Sequence, residues 1–383
     1  MSSEVLYLDN AATSYPKPPG VYDVLGQYLL GAGANPGRSG HRMAVQAERA
    51  IEETRVLVAR MFGLNDWRRV IFTLNTTDSL NLAMKGVLRS GDHVITSLLE
   101  HNSVSRPLQR LFQDHVISLT QLPFSGEGFV EPDEVRRAIR PETRLIVITH
   151  VSNVLGTIQP IEQIGRIAHE AGVLFLVDAA QSAGVLPISM DAWNIDLLAM
   201  PGHKALMGPP GVGILLAGER VQLAPWREGG TGGNSEDPVQ PEDWPFRLEA
   251  GTPNTVGIAA LRAGLEFVLK EGLDKIAQHE RSLGSRLIEG LRDDPRVRVY
   301  GTLRSENRTG PISINLQPYT SAEAAAALDQ GFDIAVRPGL HCAPYAHRQL
   351  QTLPEGALRI SPGYFNTESD IDRCLEALRE LLD

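Results

Sequence analysis

The middle of the chain alternates short apolar runs with stretches whose apolar residues recur at helical spacing. The runs are Val70-Ile71-Phe72, then 93–97, 145–149, 173–177, 197–200 and 212–216. Between them, 77–87, 103–114, 131–138 and 161–171 carry the helical pattern. Strands without alternating polar positions are buried on both faces, so the pattern predicts an α/β fold with a parallel sheet covered by helices. In such sheets ligands sit beyond the carboxyl ends of the strands. The polar residues directly after each apolar run are therefore the candidates for chemistry.

Two segments break the rhythm. Residues 227–244 are rich in Gly, Pro, Asp and Glu and include Gly229-Gly230-Thr231-Gly232-Gly233. They predict a long irregular loop, and such loops inside compact enzymes are often functional. After Asn254 the pattern turns helical to about Leu291. Strand-like 297–300 and 311–316 follow, then a helix near 321–330 and a last helix over 369–382. A larger domain over 14–256 is expected, with a smaller α+β domain made of 257–383 and 1–13. Two domains also suit 383 residues at roughly 150 each.

Composition excludes more than it assigns. The 42% hydrophobic content is that of an ordinary globular chain. A net charge of −10 argues against a general nucleic-acid binder, though a local basic pocket for a phosphate remains compatible with it. No apolar run approaches the roughly 20 residues of a membrane span. The opening Met1-Ser2-Ser3-Glu4 lacks the basic start of a signal peptide. Cys342 and Cys374 are too few for a disulfide framework. A reduced, cytoplasmic setting is expected, with no metal site.

Five strand ends carry polar residues. In Leu174-Phe175-Leu176-Val177-Asp178 a carboxylate closes an apolar run. It needs a cationic partner or strong donors; a protonated pyridine nitrogen would serve, and so would a helix cap or a structural ion pair. Lys204 follows the run at 197–200 and a glycine turn. A lysine there can form a Schiff base, although most lysines are solvated surface residues. Asn75-Thr76-Thr77 opens a helix, which is either a phosphate cradle or an ordinary capped N-terminus. His101 follows the run at 93–97 and could stack on a ring, carry a proton or lie on the surface. His150 to Asn153 could reach a ring hydroxyl or a carboxylate. Each signal is weak alone. Together they supply what pyridoxal 5′-phosphate requires: a phosphate cradle, a ring stacker, a carboxylate for the ring nitrogen and an amine for the aldehyde.

These motifs resemble the class V aminotransferases of the fold-type I pyridoxal-phosphate enzymes, and within them the cysteine desulfurase and selenocysteine lyase group. The stretches that carry the resemblance are Tyr7-Leu8-Asp9-Asn10-Ala11-Ala12-Thr13, Asn75-Thr76-Thr77, Glu100-His101-Asn102, His150-Val151-Ser152-Asn153-Val154-Leu155-Gly156-Thr157, Val177-Asp178-Ala179-Ala180-Gln181, Gly202-His203-Lys204, Ala250-Gly251-Thr252-Pro253-Asn254 and Arg337-Pro338-Gly339-Leu340-His341-Cys342-Ala343-Pro344. They occur in the family's order over nearly the whole chain. The resemblance implies a mainly parallel seven-stranded sheet in the large domain. It implies that Lys204 is the Schiff-base lysine, that Asp178 pairs with the pyridine nitrogen and that Gln181 bonds the ring hydroxyl. His101 would stack on the ring, with Asn153 beside the cofactor. Thr76, Thr77 and His203 would hold the phosphate, and Thr252 would reach the phosphate of the neighbouring subunit in a homodimer. Asn153 and Arg359 would clamp the substrate carboxylate, with Arg337 and His41 also on the substrate side. One departure is Pro201, where many relatives carry Ser or Thr before Gly-His-Lys: proline has neither hydroxyl nor backbone N–H.

Cys342 decides the subtype. Gly339 and Pro344 around it predict a loop, and Arg337 and His341 could favour a thiolate; a buried small hydrophobe is the alternative. Cys374 lies in the last helix and is expected to be structural. The implied activity is desulfuration of L-cysteine to L-alanine, with a persulfide on Cys342 for a sulfur-acceptor protein or thiol. The alternative is a lyase (selenocysteine lyase included) or aminotransferase for another small amino acid, with Cys342 a bystander.

Overall fold

The computed structural model describes residues 5–31, 33–36, 41–232, 236 and 238–383. A short strand β1 (Leu6–Tyr7) leads to helices α1 (Pro19–Gly31) and α2 (Arg42–Phe62). The alternating region then runs β2 (Val70–Thr73), α3 (Thr76–Val87), β3 (His93–Ser97), α4 (Asn102–Gln113), β4 (Ser118–Leu122), α5 (Pro132–Ala138), β5 (Thr143–Thr149), α6 (Ile161–Glu170), β6 (Leu174–Asp178), β7 (Leu197–Pro201) and β8 (Gly213–Ala217). These seven strands, β2 to β8, form one sheet in the order β2-β8-β7-β6-β5-β3-β4. Four of its six pairings are parallel; β8 alone runs against both neighbours.

The sheet is buried on both sides, as the apolar runs require. On one face Ile95, Ile146, Phe175, Leu198 and Ile214 pack with Val58 and Phe62 of α2 and Ile164 of α6. On the other, Val94, Leu145, Leu176, Leu197 and Leu215 pack with Leu80 and Met84 of α3 and Leu108 of α4. Six strands coincide with the apolar runs. The seventh, β4, is half-buried at the sheet edge and reads Ser-Leu-Thr-Gln-Leu, too polar to register as a run. Among the described residues of 227–244 there is no helix or strand; Gly233 lies outside the described residues.

The helical stretch after Asn254 is two helices, α7 (Thr255–Glu271) and α8 (Leu273–Leu291), broken at Gly272 with φ +87. The chain continues through β9 (Val297–Val299), β10 (Ile312–Leu316), α9 (Ser321–Phe332), β11 (Ile334–Ala335), β12 (Arg337–Gly339), α10 (Pro344–Gln349), β13 (Ala357–Ile360) and α11 (Glu368–Leu382). A four-stranded antiparallel sheet, β12-β13-β10-β9, packs with α8, α9 and α11 around Leu287, Ile314, Leu328, Leu358 and Leu378. β1 pairs in parallel with β11, and Leu8 joins this second core. An expected boundary at 257 falls inside α7, whose Ile258, Leu261 and Leu265 belong to the core of the large sheet.

Candidate active site

The carboxyl ends of β5, β6 and β7 and the N-termini of α3 and α4 surround a cavity of about 160 Å³. Thr76, Thr77, His101, Asn153, Asp178, Gln181, His203 and Lys204 line it, so eight residues scattered over 129 positions of sequence converge there. Pro201 also lines it, without a hydroxyl to offer.

Lys204 enters just after β7 and is hemmed in by protein. Burial pulls its amine down to about 8, helped by the nearby Arg359 and Arg337 and opposed by Asp178 and Asp9. Asp178 ends β6, where its Oδ1 accepts from Ala180 N–H at 2.9 Å. Burial raises its pKa, against that bond and the Lys204 charge. It forms no salt bridge among the described residues. Gln181 donates from Nε2 to the Ala11 carbonyl at 3.0 Å, which fixes the amide.

Helix starts supply two further groups. Asn75 caps α3 by accepting from Asp78 N–H at 3.0 Å, leaving Thr76 and Thr77 in the first turn. His101 caps α4: Nδ1 accepts from Ser103 N–H at 3.1 Å, so the ring proton sits on Nε2. The Ser103 hydroxyl touches His101 Nδ1 at 2.9 Å and the Thr77 hydroxyl at 2.7 Å, linking the two helix starts. Burial, then the charge of Lys204, hold His101 down to about 4 and therefore neutral. His203 is held to about 4 by the same two causes, then by Lys17, and its Nδ1 lies 3.1 Å from the Thr13 hydroxyl.

A second set comes from the small sheet. β12 and β13 place Arg337 directly opposite Arg359. Arg359 is 1% exposed; Nη2 donates to Asp9 at 2.8 Å, Nη1 to the Asn153 carbonyl at 3.1 Å, and Nε has no partner among the described residues. Arg337 Nη2 lies 3.9 Å from Cys342 Sγ. His341 and Cys342 both adopt left-handed backbone, φ +49 and +58, an unusual conformation for residues with a Cβ. Three bonds pin this loop: Asn102 N–H to the Cys342 carbonyl at 2.7 Å, Asn153 Nδ2 to the His341 carbonyl at 2.6 Å, and His341 Nε2 to the Ala357 carbonyl at 3.0 Å. Cys342 is partly exposed, while Cys374 is buried in α11 with its thiol pushed up to about 12. Both thiols are free.

Arg337, Cys342 and Arg359 do not line the cavity, and two of the expected residues, Thr252 and His41, belong to neither set. Thr252 is exposed and lines a separate cavity with Arg55, Trp67 and Trp244. His41 is exposed and caps α2, its Nδ1 accepting from Ala44 N–H at 3.2 Å.

Sequence reasoning gave no role to three groups. Asp9 holds Arg359 from 350 positions away; only its place in the Tyr7 to Thr13 stretch hinted at it. Ser103 joins Thr77 to His101. Glu100 is wholly buried between the ends of β3 and β5, accepting from the Ser97 hydroxyl at 2.6 Å and Thr149 N–H at 3.1 Å. Burial pushes it up to about 8, so it is protonated at neutral pH.

Comparison with known proteins extends these local features to the whole chain. The aminotransferase class V family model matches residues 6–374. A probable cysteine desulfurase of Pyrococcus abyssi is 35% identical, covering 100% of this chain and 95% of its own length. A cysteine desulfurase of Cronobacter sakazakii is 34% identical over 97% of this chain and 92% of its own. Among solved structures, the apo cysteine desulfurase of Thermococcus onnurineus superposes with a TM-score of 0.93 at 34% identity, covering 99% and 94% of the two chains. A cysteine desulfurase of Escherichia coli gives 0.88 at 28% identity, covering 99% and 96%. Sequence order, sheet topology and full-length similarity agree: the chain belongs to the class V aminotransferase family.

Proposed function

We propose that the protein is a pyridoxal 5′-phosphate-dependent cysteine desulfurase, which converts L-cysteine to L-alanine and passes the sulfur to Cys342. The observation that carries this reading is the tie between the Cys342 loop and the Lys204 cavity: Asn153 lines the cavity and bonds the residue before Cys342. Full-length relatives named cysteine desulfurase support it.

The residues fit the cofactor. Asp178 is a buried carboxylate without an ion-pair partner among the described residues, and a protonated pyridine nitrogen would supply the cation. Thr76 and Thr77 line the cavity in the first turn of α3, and His203 lines it from the turn after β7, which suits a phosphate. His101 offers a neutral ring for stacking and Gln181 a fixed amide for the ring hydroxyl. Lys204 at about 8 has an accessible free-amine fraction near neutral pH, as aldehyde capture requires. When bound, pyridoxal 5′-phosphate supplies an electron sink for the carbanion chemistry at the substrate Cα.

The chain's own residues then divide the remaining tasks. Arg359 and Asn153 hold the substrate carboxylate, with Arg337 and His41 assigned to the substrate side; the unpaired Arg359 Nε is a donor still open to an incoming anion. Lys204 Nζ takes the Cα proton. The Cys342 thiolate attacks the substrate sulfur; the S–S bond forms as the Cβ–S bond breaks, and the electron pair left at Cβ takes a proton. Alanine leaves and the persulfide passes to an acceptor thiol. Thr252, remote from the cavity of its own chain, fits a homodimer in which it reaches the partner's phosphate. We place the enzyme in the cytoplasm, in sulfur metabolism, serving a sulfur-acceptor protein or small thiol. Among the described residues no helix is long and apolar enough to cross a membrane.

The test is turnover of L-cysteine with a reductant by the cofactor-loaded protein. Alanine and sulfide are expected in equal amounts, and Cys342→Ala is expected to lose both while still binding pyridoxal 5′-phosphate. Pyruvate in place of alanine, or a Cys342→Ala variant as active as wild type, would overturn the reading.

A further inference from the structure

Lys204 lines two cavities. The first is the 160 Å³ site described above; the second, of about 30 Å³, is lined by Lys204, Gln181, Ser14, Ser361 and Glu280 of α8 among others. Glu280 also lines a third, of about 10 Å³, shared with Arg281, Ser285 and Ser305. Those three residues in turn line a surface depression with the exposed Asp274, Gln278 and Glu306. A water needs about 10–15 Å³ of such space and two or more polar partners. The second cavity therefore has room for about two waters and the third for about one. Polar side chains border each of them.

Glu280 is the only carboxyl group lining the inner two cavities among the described residues. It is 6% exposed, and its one hydrogen bond comes from the Thr309 hydroxyl at a long 3.3 Å. Lys204 and Tyr364 also line the second cavity, and Arg281 and Arg308 the third; among the described residues none of these cations makes a salt bridge with it. Burial pushes its pKa up to about 7, against the Thr309 bond, so both protonation states are populated near neutrality. A carboxyl group buried only for structure would ordinarily be fully hydrogen-bonded.

The proposed reaction needs a proton supply. Alanine carries hydrogen at both Cα and Cβ, whereas Lys204 removes one proton, from Cα. One further proton must therefore reach carbon; the two thiols release one as the S–S bond forms, so the net reaction balances, and a water path lets Lys204 collect that proton by exchange. We propose that Glu280 is the proton-exchange residue that connects Lys204 to solvent, through waters held in the two small cavities and out at the α8 surface. The proposal rests on the desulfurase reading for its purpose, and on the cavities alone for its path. Glu280 touches neither substrate nor cofactor and acts through Lys204.

The experiment compares wild type, Glu280→Gln and Glu280→Asp, each loaded with pyridoxal 5′-phosphate. Glutamine keeps the size of the side chain and an acceptor for Thr309 but carries no proton to exchange. Proton NMR follows the exchange of the L-alanine Cα hydrogen in deuterated water, which requires Lys204 but not desulfuration. Glu280→Gln is expected to slow this exchange about tenfold, with alanine affinity unchanged and the ionisation near pH 7 gone from the profile; Glu280→Asp is expected to restore part of the rate. A structural role alone would not move that profile. Infrared difference spectroscopy without substrate gives an independent readout. The protonated-carboxyl band absent from Glu280→Gln is expected to shift within seconds of mixing wild type into deuterated water. A band that shifts only over hours, or a glutamine variant with wild-type exchange and profile, overturns the proposal. Wild type that exchanges neither alanine nor cysteine hydrogens refutes the desulfurase reading, and the infrared result then still decides the path.

Discussion

Replacing Lys204 by methionine is expected to stabilise the protein without cofactor, in a manner set by pH. Methionine keeps the length of the side chain and removes the amine. In the fold the amine titrates near 8, against an ordinary value of 10.5. Below pH 8 both folded and unfolded chains carry the proton, and the folded chain bears the full cost of an enclosed charge. That cost is about 3 kcal/mol at pH 7, from 2.5 pKa units at 1.36 kcal/mol each. It is an upper figure, because Lys204 as a whole residue is only half-buried. As pH rises from 8 towards 10.5 the folded chain is already neutral while the unfolded chain remains charged, so stability recovers and the cost falls to about 1 kcal/mol at pH 10. Unfolding entropy of about 2.1 cal/mol/K per residue over 383 residues converts 3 kcal/mol to about 4 °C. Differential scanning calorimetry of wild type and Lys204→Met should show the variant melting about 4 °C higher at pH 7 and about 1 °C higher at pH 10. A variant that melts no higher at pH 7, or a gap that does not narrow with pH, refutes the assignment of Lys204 as a desolvated amine.

Three further outcomes follow from the same geometry. A thiol reagent should label one cysteine in the native protein and two after denaturation, since Cys342 is partly exposed and Cys374 is buried with its thiol pushed up to about 12; mass spectrometry should place the native label on Cys342. Gly165→Ala should lower stability by about 1–3 kcal/mol, read as a fall in Tm, because its Cβ would collide with the Trp193 carbonyl where α6 packs on its neighbour. The His101 ring resonances should stay constant from pH 8 down to about pH 5, and Lys204→Met should move their titration to higher pH by removing the nearby positive charge.

Much of the large domain is legible in the sequence because its strands are buried on both faces. Leu174 to Val177 and Leu197 to Met200 can be little else than central strands once Gly and helical stretches bound them. Edge position hides β4, whose half-exposed Ser118, Thr120 and Gln121 dilute the apolar signal. The break at Gly272 is invisible to periodicity, since α7 and α8 are each amphipathic and a lone glycine is tolerated in helices. For the site, strand-end logic places Lys204, Asp178 and His101 at one edge because a parallel sheet brings every carboxyl end to the same side. That logic cannot find Asp9 or Glu280. Asp9 acts through a pairing with Arg359 across 350 residues, and Glu280 sits on the inner face of a helix whose neighbours look ordinary.

The cross-strand placement of Arg337 opposite Arg359 has a consequence for which molecules the protein admits. Like charges directly opposite on paired strands are destabilising, and Asp9 compensates only Arg359. Among the described residues this edge of the small sheet thus holds surplus positive charge, which a substrate carboxylate bound there as proposed would relieve. Cysteamine, which has the thiol and amine of cysteine but no carboxylate, leaves that repulsion in place and forgoes the relief. Cysteine esters and C-terminally extended peptides share the same handicap. With both arginines assigned to the substrate carboxylate as proposed, selection for a free amino acid would be built into the register of two short strands, upstream of any chemistry at the sulfur.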